Sequence, residues 1–125
     1  MQRLTAMVLA AALLFGGCSP LPVRTISIAG TPWTVYEGGA DGMLFDMHQE
    51  VDPRGVAFTM EGVDYPIDIA FFDDTGMVVS LASMVPCDAA PCPLYHALDP
   101  YRWAIEAPVG AFGDLAPPDR LEIGD

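Results

Sequence analysis

Two cysteines lie close together in this chain, Cys87 and Cys92, within the sequence Cys-Asp-Ala-Ala-Pro-Cys. Neighbouring thiols can form a disulfide in an oxidising compartment, bind a metal ion as thiolates, or act as a redox pair. Zinc sites need four ligands, and the chain has only two histidines, His48 and His96, to complete one. A disulfide that fixes the loop over residues 85–95 is the simplest prediction, and metal binding with His96 or redox chemistry are the alternatives.

One carboxylate interrupts an apolar run and is the candidate for acid–base chemistry. Asp68 lies within residues 65–72, and Glu61 and Asp64 precede it. Two neighbouring carboxyl groups can divide the roles of general acid and general base, which predicts a hydrolase. The alternative is structural: Asp68 lies on a solvated face, or it is buried with hydrogen-bond partners. The sequence has no Ser-His-Asp spacing, phosphate-binding glycine loop or calcium loop.

A second group of residues has ligand chemistry for soft metals. Met43, Met47 and His48 are possible copper ligands, and together with His96 they would make a metal-handling protein. Methionine more often fills gaps in a core, and His48 stands in a polar stretch typical of a solvated segment. We therefore assign no metal site and no cofactor.

The third cysteine, Cys18, follows an apolar run over residues 4–15 and two glycines, and one basic residue, Arg3, precedes that run. This arrangement is typical of an export signal, and the run is too short to span a membrane as a helix. The Leu-Phe-Gly-Gly-Cys motif at residues 14–18 resembles the lipobox of bacterial lipoproteins, with Phe15 in place of the usual leucine. The resemblance implies cleavage before Cys18 and acylation of its sulfur and new amine, and an ordinary cleaved signal is the alternative.

The predicted organisation is a signal peptide over residues 1–17, a lipidated linker over 18–23 and a single β-rich domain over 24–125. Cleavage removes one of the five basic residues and none of the seventeen acidic ones, so the net charge changes from −12 to −13. Such a charge excludes nucleic acid and anionic lipid headgroups as electrostatic partners. Acyl chains on Cys18 would anchor the protein to the cell envelope. Ser19 is not the aspartate that favours inner-membrane retention, which indicates the periplasmic face of an outer membrane where the host has one.

Twelve glycines and twelve prolines are scattered along the chain and exclude long helices. Short apolar or alternating runs predict strands at residues 24–29, 33–36, 43–45, 56–60, 67–72, 77–82, 101–107 and 121–123. Residues 73–76 predict a hairpin turn, and residues 109–115 one or two helical turns. Within residues 101–107 the alternation predicts Tyr101, Trp103 and Ile105 inward and Glu106 outward. The predicted fold is mainly β with one or two short helices (α+β), as a compact antiparallel domain, barrel-like or sandwich.

Several segments together resemble the bacterial and archaeal family named domain of unknown function 192. They are Gly-Met-Leu-Phe at 42–45, Val-Ala-Phe-Thr-Met at 56–60, Pro-Ile-Asp-Ile-Ala-Phe at 66–71, Val-Pro-Cys at 85–87, Pro-Cys-Pro at 91–93, Ala-Ile-Glu-Ala-Pro-Val-Gly at 104–110 and Asp-Arg-Leu at 119–121. The resemblance implies a single β-rich domain, often exported, with no established activity. Relatives usually read Phe-Trp-Met-Lys-Asn-Thr where residues 58–63 read Phe-Thr-Met-Glu-Gly-Val, so an aromatic ring, a cation and an amide are absent. The family's helical stretch ahead of residue 42 is also missing.

These observations predict an envelope-anchored lipoprotein that acts as a non-catalytic binding or interaction module. Its partners would be the membrane, through the lipid on Cys18, and an envelope protein or a small ligand. The alternatives are a carboxylate-dependent envelope hydrolase that uses Asp68 with Asp64 or Glu61, and a metal-handling protein.

Overall fold

The computed structural model describes residues 6–9, 23–36 and 42–124. Within these residues the chain forms ten β-strands and no helix. The strands are β1 (Ala6–Leu9), β2 (Val23–Ile28), β3 (Thr31–Tyr36), β4 (Met43–Val51), β5 (Val56–Thr59), β6 (Ile67–Phe72), β7 (Val78–Met84), β8 (Leu94–Tyr95), β9 (Tyr101–Ala107) and β10 (Leu121–Ile123). The described part of the chain accordingly has no helix that could cross a membrane.

Seven strands form the main sheet, in the order β10-β2-β3-β4-β9-β6-β7. Its neighbours pair antiparallel except β3 and β4, which are parallel. An isolated bridge between Met77 and Arg120 connects the two ends of this sheet, so the sheet curls strongly without forming a closed barrel. The remaining strands form a second sheet in the order β1-β5-β8, with β5 parallel to β1 and antiparallel to β8. The fold is a compact, sandwich-like arrangement of these two sheets.

Two hydrophobic cores lie on opposite faces of the main sheet. The first is enclosed by the curled sheet itself, and Phe112 and Leu115 cover it from the loop after β9. The second lies between the main sheet and the smaller sheet, where Phe58, Phe71 and Tyr101 pack edge to face with ring centroids 5.8 and 4.8 Å apart. Aromatic pairs at such angles and distances stabilise a core beyond the area they bury.

Strand β9 is buried on both faces, which corrects one prediction from the sequence. Trp103 and Ile105 contribute to the first core as expected, whereas Tyr101 contributes to the second. Glu106, predicted to point outward into solvent, is only 3% exposed. The reason is that the smaller sheet covers the face that the alternation would leave to water.

The prediction of one or two short helices is also wrong for the described residues. Residues 109–115 form successive turns. In each turn a backbone N–H donates to the carbonyl three residues earlier: Ala111 to Pro108, Gly113 to Gly110 and Leu115 to Phe112. Gly110 and Gly113 have positive φ angles of 87° and 58°. A right-handed helix needs negative φ at every position, so these two residues break the segment into separate turns.

The predicted strand positions are otherwise confirmed, and so is the hairpin over residues 73–76. Asp73 organises that turn: its Oδ1 accepts hydrogen bonds from the Thr75 hydroxyl at 2.6 Å and from the Thr75 and Met77 N–H groups at 2.9 Å. An aspartate that bonds the backbone ahead of it favours a turn at that point.

Candidate interaction surface

The structure uses both carboxylate oxygens of Asp68 for hydrogen bonds that join parts of the fold. Oδ1 accepts a bond from the Ser83 hydroxyl on β7, and Oδ2 accepts one from the Gly110 N–H in the loop after β9, each at 2.9 Å. Asp68 therefore fixes the turns that cover the first core to the β6–β7 hairpin. This arrangement fits the structural alternative for this residue, a carboxylate satisfied by hydrogen-bond partners.

Glu61 and Asp64, the other carboxylates considered for catalysis, are both exposed. Glu61 lies in the turn after β5, where its N–H donates to Thr59 Oγ1 at 3.2 Å. Among the described residues no hydrogen bond joins either residue to Asp68. The segment of residues 58–63 that departs from the family pattern is thus part core and part turn, since Phe58, Thr59 and Met60 are at most 1% exposed.

The possible soft-metal ligands have other surroundings. Met43 is buried and Met47 packs against the second core, as core-filling methionines do. His48 is exposed, and its N–H donates to Asp46 Oδ1 at 2.7 Å. His96 Nδ1 donates to the Pro53 carbonyl at 2.8 Å. In the described part of the chain no three His, Cys, Asp or Glu side chains are grouped so as to hold a metal ion.

The predicted disulfide between Cys87 and Cys92 is present, with their Cα atoms 5.6 Å apart. It closes the loop between β7 and β8. Just outside the bridge, the Val85 N–H donates to the hydroxyl of Tyr95 at 3.3 Å, so the two ends of the loop are held together twice.

Large apolar side chains are exposed around this loop. In the β6–β7 register Ile67 pairs with Met84, and in the β6–β9 register Asp68 pairs with Ala107. The residues just beyond these positions therefore emerge at the same end of the molecule, and the disulfide loop and β8 lie beside them. Four apolar side chains there are between 42% and 58% exposed, and we call them the loop-end surface: Tyr65, Val85, Leu94 and Val109.

Exposed apolar groups collected on one surface indicate a contact site more strongly than the same groups scattered singly. The sequence alone does not reveal this surface. Strand β8 has only two residues, too few to show a periodicity, and each of the other residues lies in a separate loop. The usable signal was the pairing of Cys87 with Cys92, which places Val85 near Leu94.

An open cavity of about 720 Å³ lies elsewhere, between residues 50–54 and residues 97–100. Glu50, Asp52, Asp99 and Arg54 line it together with the 77%-exposed Leu98. The Arg54 and Asp52 side chains are 3.7 Å apart and both largely exposed, so water screens their attraction. This acidic lining suits a small ligand that carries a positive charge better than an anion.

Three ionisable groups have altered pKa values, and each has a structural cause. Burial opposes ionisation of Asp46, but hydrogen bonds from Arg102 and the His48 N–H outweigh it and lower the pKa of Asp46 below its ordinary value of 3.8. Burial also opposes ionisation of Asp73, but the hydrogen bonds from Thr75 and Met77 outweigh it and lower the pKa of Asp73. Burial raises the pKa of Tyr101, whose hydroxyl has no hydrogen-bond partner among the described residues.

Comparison with known proteins assigns the chain to a family without assigning an activity. The sequence model of domain of unknown function 192, described as an uncharacterized ACR, matches residues 37–123. The protein belongs to this family, as the resemblance of its segments implied. No curated protein sequence gave a significant match.

A solved structure shows the same fold. It is a Sinorhizobium meliloti 1021 protein, described as a candidate transcription regulator, which superimposes with a TM-score of 0.67 at 21% sequence identity. The match covers 86% of this chain and 98% of that protein. Similarity at this level of identity concerns the fold alone.

Cys18 and its motif lie outside the described residues, and so do residues 10–22 of the predicted signal peptide and linker. Residues 6–9, within the predicted signal peptide, form β1 of the uncleaved chain.

Proposed function

We propose that this protein is an envelope lipoprotein, acylated at Cys18, whose β-rich domain binds another envelope component through the loop-end surface. Its location rests on the lipobox-like motif and on the cysteine count: lipidation of Cys18 removes the odd thiol, and Cys87 and Cys92 form the disulfide. A disulfide is itself typical of an exported protein.

The binding role is inferred from the exposed apolar side chains of the loop-end surface. A net charge of −12 keeps the rest of the chain well hydrated, so a contact is expected where apolar groups replace charged ones. The disulfide and the Val85–Tyr95 hydrogen bond hold together the part of this surface around Val85 and Leu94, which lowers the entropy cost of binding there. We do not propose a carboxylate-dependent hydrolase, because both oxygens of Asp68 serve as acceptors within the fold.

Anchoring is tested by metabolic labelling with palmitate and mass spectrometry of the product isolated from membranes. The wild-type protein is expected to incorporate label and to begin at a modified Cys18. A Cys18→Ser variant should remain unlabelled and keep residues 1–17, whereas a Ser19→Ala control should be processed normally. A wild-type product that retains Met1 and three reduced thiols would refute the anchoring.

The binding role is tested by placing a photoreactive amino acid at single surface positions in intact cells. The probe at Leu94, in the loop-end surface, is expected to give a discrete crosslinked adduct. The control is the same probe at Leu98, which is more exposed and whose N–H bonds Ser80. Ser80 lies four residues from the end of β7, about 13 Å along the strand. Equal adduct yields at Leu94 and Leu98 would contradict a specific surface.

A further inference from the structure

Strand β5 has a neighbour along each edge, but the two neighbours differ in kind. On one edge, β8 pairs with only two of its residues, Phe58 and Thr59. On the other edge, β1 pairs with all four residues of β5, in parallel register from Val56 to Thr59. The whole length of that second edge is therefore covered by residues 6–9, which lie inside the predicted signal peptide.

We propose that removal of residues 1–17 frees this edge of β5, and that the edge then binds an extended apolar segment of another envelope protein as a parallel strand. This inference rests on the proposed function, because it needs cleavage before Cys18. It also specifies the partner chemistry of that function: β5 pairs with β8, and β8 carries Leu94 of the loop-end surface. The added strand and the loop-end surface would belong to one contact.

The exposed edge would be short, but it would lack the charges and prolines that protect many natural sheet edges. Proline, lysine and inward-pointing charges usually block strand addition, and β5 reads Val-Ala-Phe-Thr, with no charge and no proline. Four residues give an edge of about 13 Å with unpaired backbone N–H and C=O groups. Ala57, Phe58 and Thr59 are at most 1% exposed while β1 is in place, so the vacated edge lies directly beside the second core.

The segment that occupies the edge shows what fits there. Residues 6–9 read Ala-Met-Val-Leu: they are apolar, uncharged and extended, and they run parallel to β5. Backbone hydrogen bonds make strand addition tolerant of sequence, so another apolar segment can take the same place. A second copy of this protein is a poorer occupant, because two processed chains with a charge of −13 each repel one another.

The test uses a synthetic peptide of residues 4–11 that carries two added lysines for solubility and a diazirine analogue of methionine at Met7. It is irradiated with the processed protein purified from membranes, and the adduct is mapped by mass spectrometry. The crosslink is expected within residues 56–59, because Met7 pairs with Ala57 in the structure. A control peptide with Val8→Pro, which lacks one backbone N–H, should crosslink at least tenfold less.

The Cys18→Ser variant is the matched protein control, since it keeps residues 1–17 and with them the strand that covers the edge. It is expected to give no adduct with the same peptide. Equal crosslinking of the two peptides, an adduct outside residues 56–59, or a processed protein that dimerises and excludes the peptide would overturn the inference. Mass spectrometry of the protein used separates the two proposals. If Met1 is retained, the proposed function fails and the edge is never freed, whereas a processed protein that ignores the peptide refutes only the strand addition.

Discussion

Among the described glycines, Gly76 is the one at which an added methyl group is expected to destabilise the fold most. Its φ angle is +90°, and a Cβ atom built on it would overlap the carbonyl oxygen of Leu121 on β10. The Gly76 carbonyl accepts a hydrogen bond from the Leu121 N–H at 2.7 Å, and its N–H donates to Asp73 at 2.9 Å. The residue thus closes the β6–β7 turn and also holds β10 against it.

Gly76→Ala is expected to lower the free energy of unfolding by about 2–3 kcal/mol, from left-handed backbone strain of about 1–2 kcal/mol and a lost backbone hydrogen bond of about 1 kcal/mol. The overlap involves backbone on both sides, so no side-chain rotation can relieve it. For a domain of this size the melting temperature should fall by roughly 10–20 °C. Urea unfolding followed by circular dichroism measures the change in free energy directly.

Gly62→Ala is the matched control. Gly62 has nearly the same φ angle, +82°, but a Cβ atom there has no neighbour within 4 Å. This variant should show only the backbone strain, about 1–2 kcal/mol. If both variants are destabilised equally, the contact with Leu121 contributes nothing and the reasoning is refuted.

Three further predictions concern side-chain interactions. The folded-state pKa of Asp73 is lowered from 3.8, so its stabilising effect is present above pH 3.8 and is lost as the pH falls below that value. Urea unfolding midpoints measured between pH 5 and pH 2 should show this loss. The Asp73→Asn substitution should flatten the profile of midpoint against pH. Reduction of the disulfide between Cys87 and Cys92 should lower the free energy of unfolding by about 2 kcal/mol or less, because the closed loop is short, and urea unfolding with and without reductant measures it. Arg102 Nε lies 3.1 Å from Asp46 Oδ1 with both side chains partly buried, so a double-mutant cycle with alanine at both positions should give a coupling energy of about 1 kcal/mol.

Each of these predictions has its own control. For the pH profile, an Asp73→Asn variant that keeps the wild-type shape would contradict the role of Asp73. For the disulfide, a Cys87→Ser/Cys92→Ser variant should be insensitive to reductant. For the ion pair, high salt should weaken the coupling, and a coupling near zero at low salt would show that the pair contributes nothing.

The local elements followed from the sequence because each depends on residues close together in the chain. The strand over 67–72, the turn at 73–76 and the strand over 101–107 each carry their own apolar pattern or turn residues. The disulfide was predictable in the same way, since two cysteines five positions apart in a chain predicted to be exported most simply pair. The prediction of helical turns over 109–115 was wrong because Gly110 and Gly113 take positive φ angles. Glycine allows positive φ, but its presence in a sequence does not show that it adopts it.

The loop-end surface could not be predicted from local sequence patterns, because its residues come from segments that are distant along the chain. Tyr65, Val85 and Val109 each look like an ordinary loop residue, and only the registers of β6 with β7 and with β9 bring them to one end. Leu94 joins them through a two-residue strand whose partner, β5, is 35 positions earlier at Thr59.

The sequence by itself determined the composition of the chain, the positions of eight of its strands, the turn at Asp73 and the disulfide. Only the tertiary structure decided that β9 is buried on both faces, that Glu106 is inside, and that residues 6–9 cover β5. The physical reason is that a periodic pattern describes the two faces of one strand, whereas burial of a second face depends on whichever distant strand packs against it.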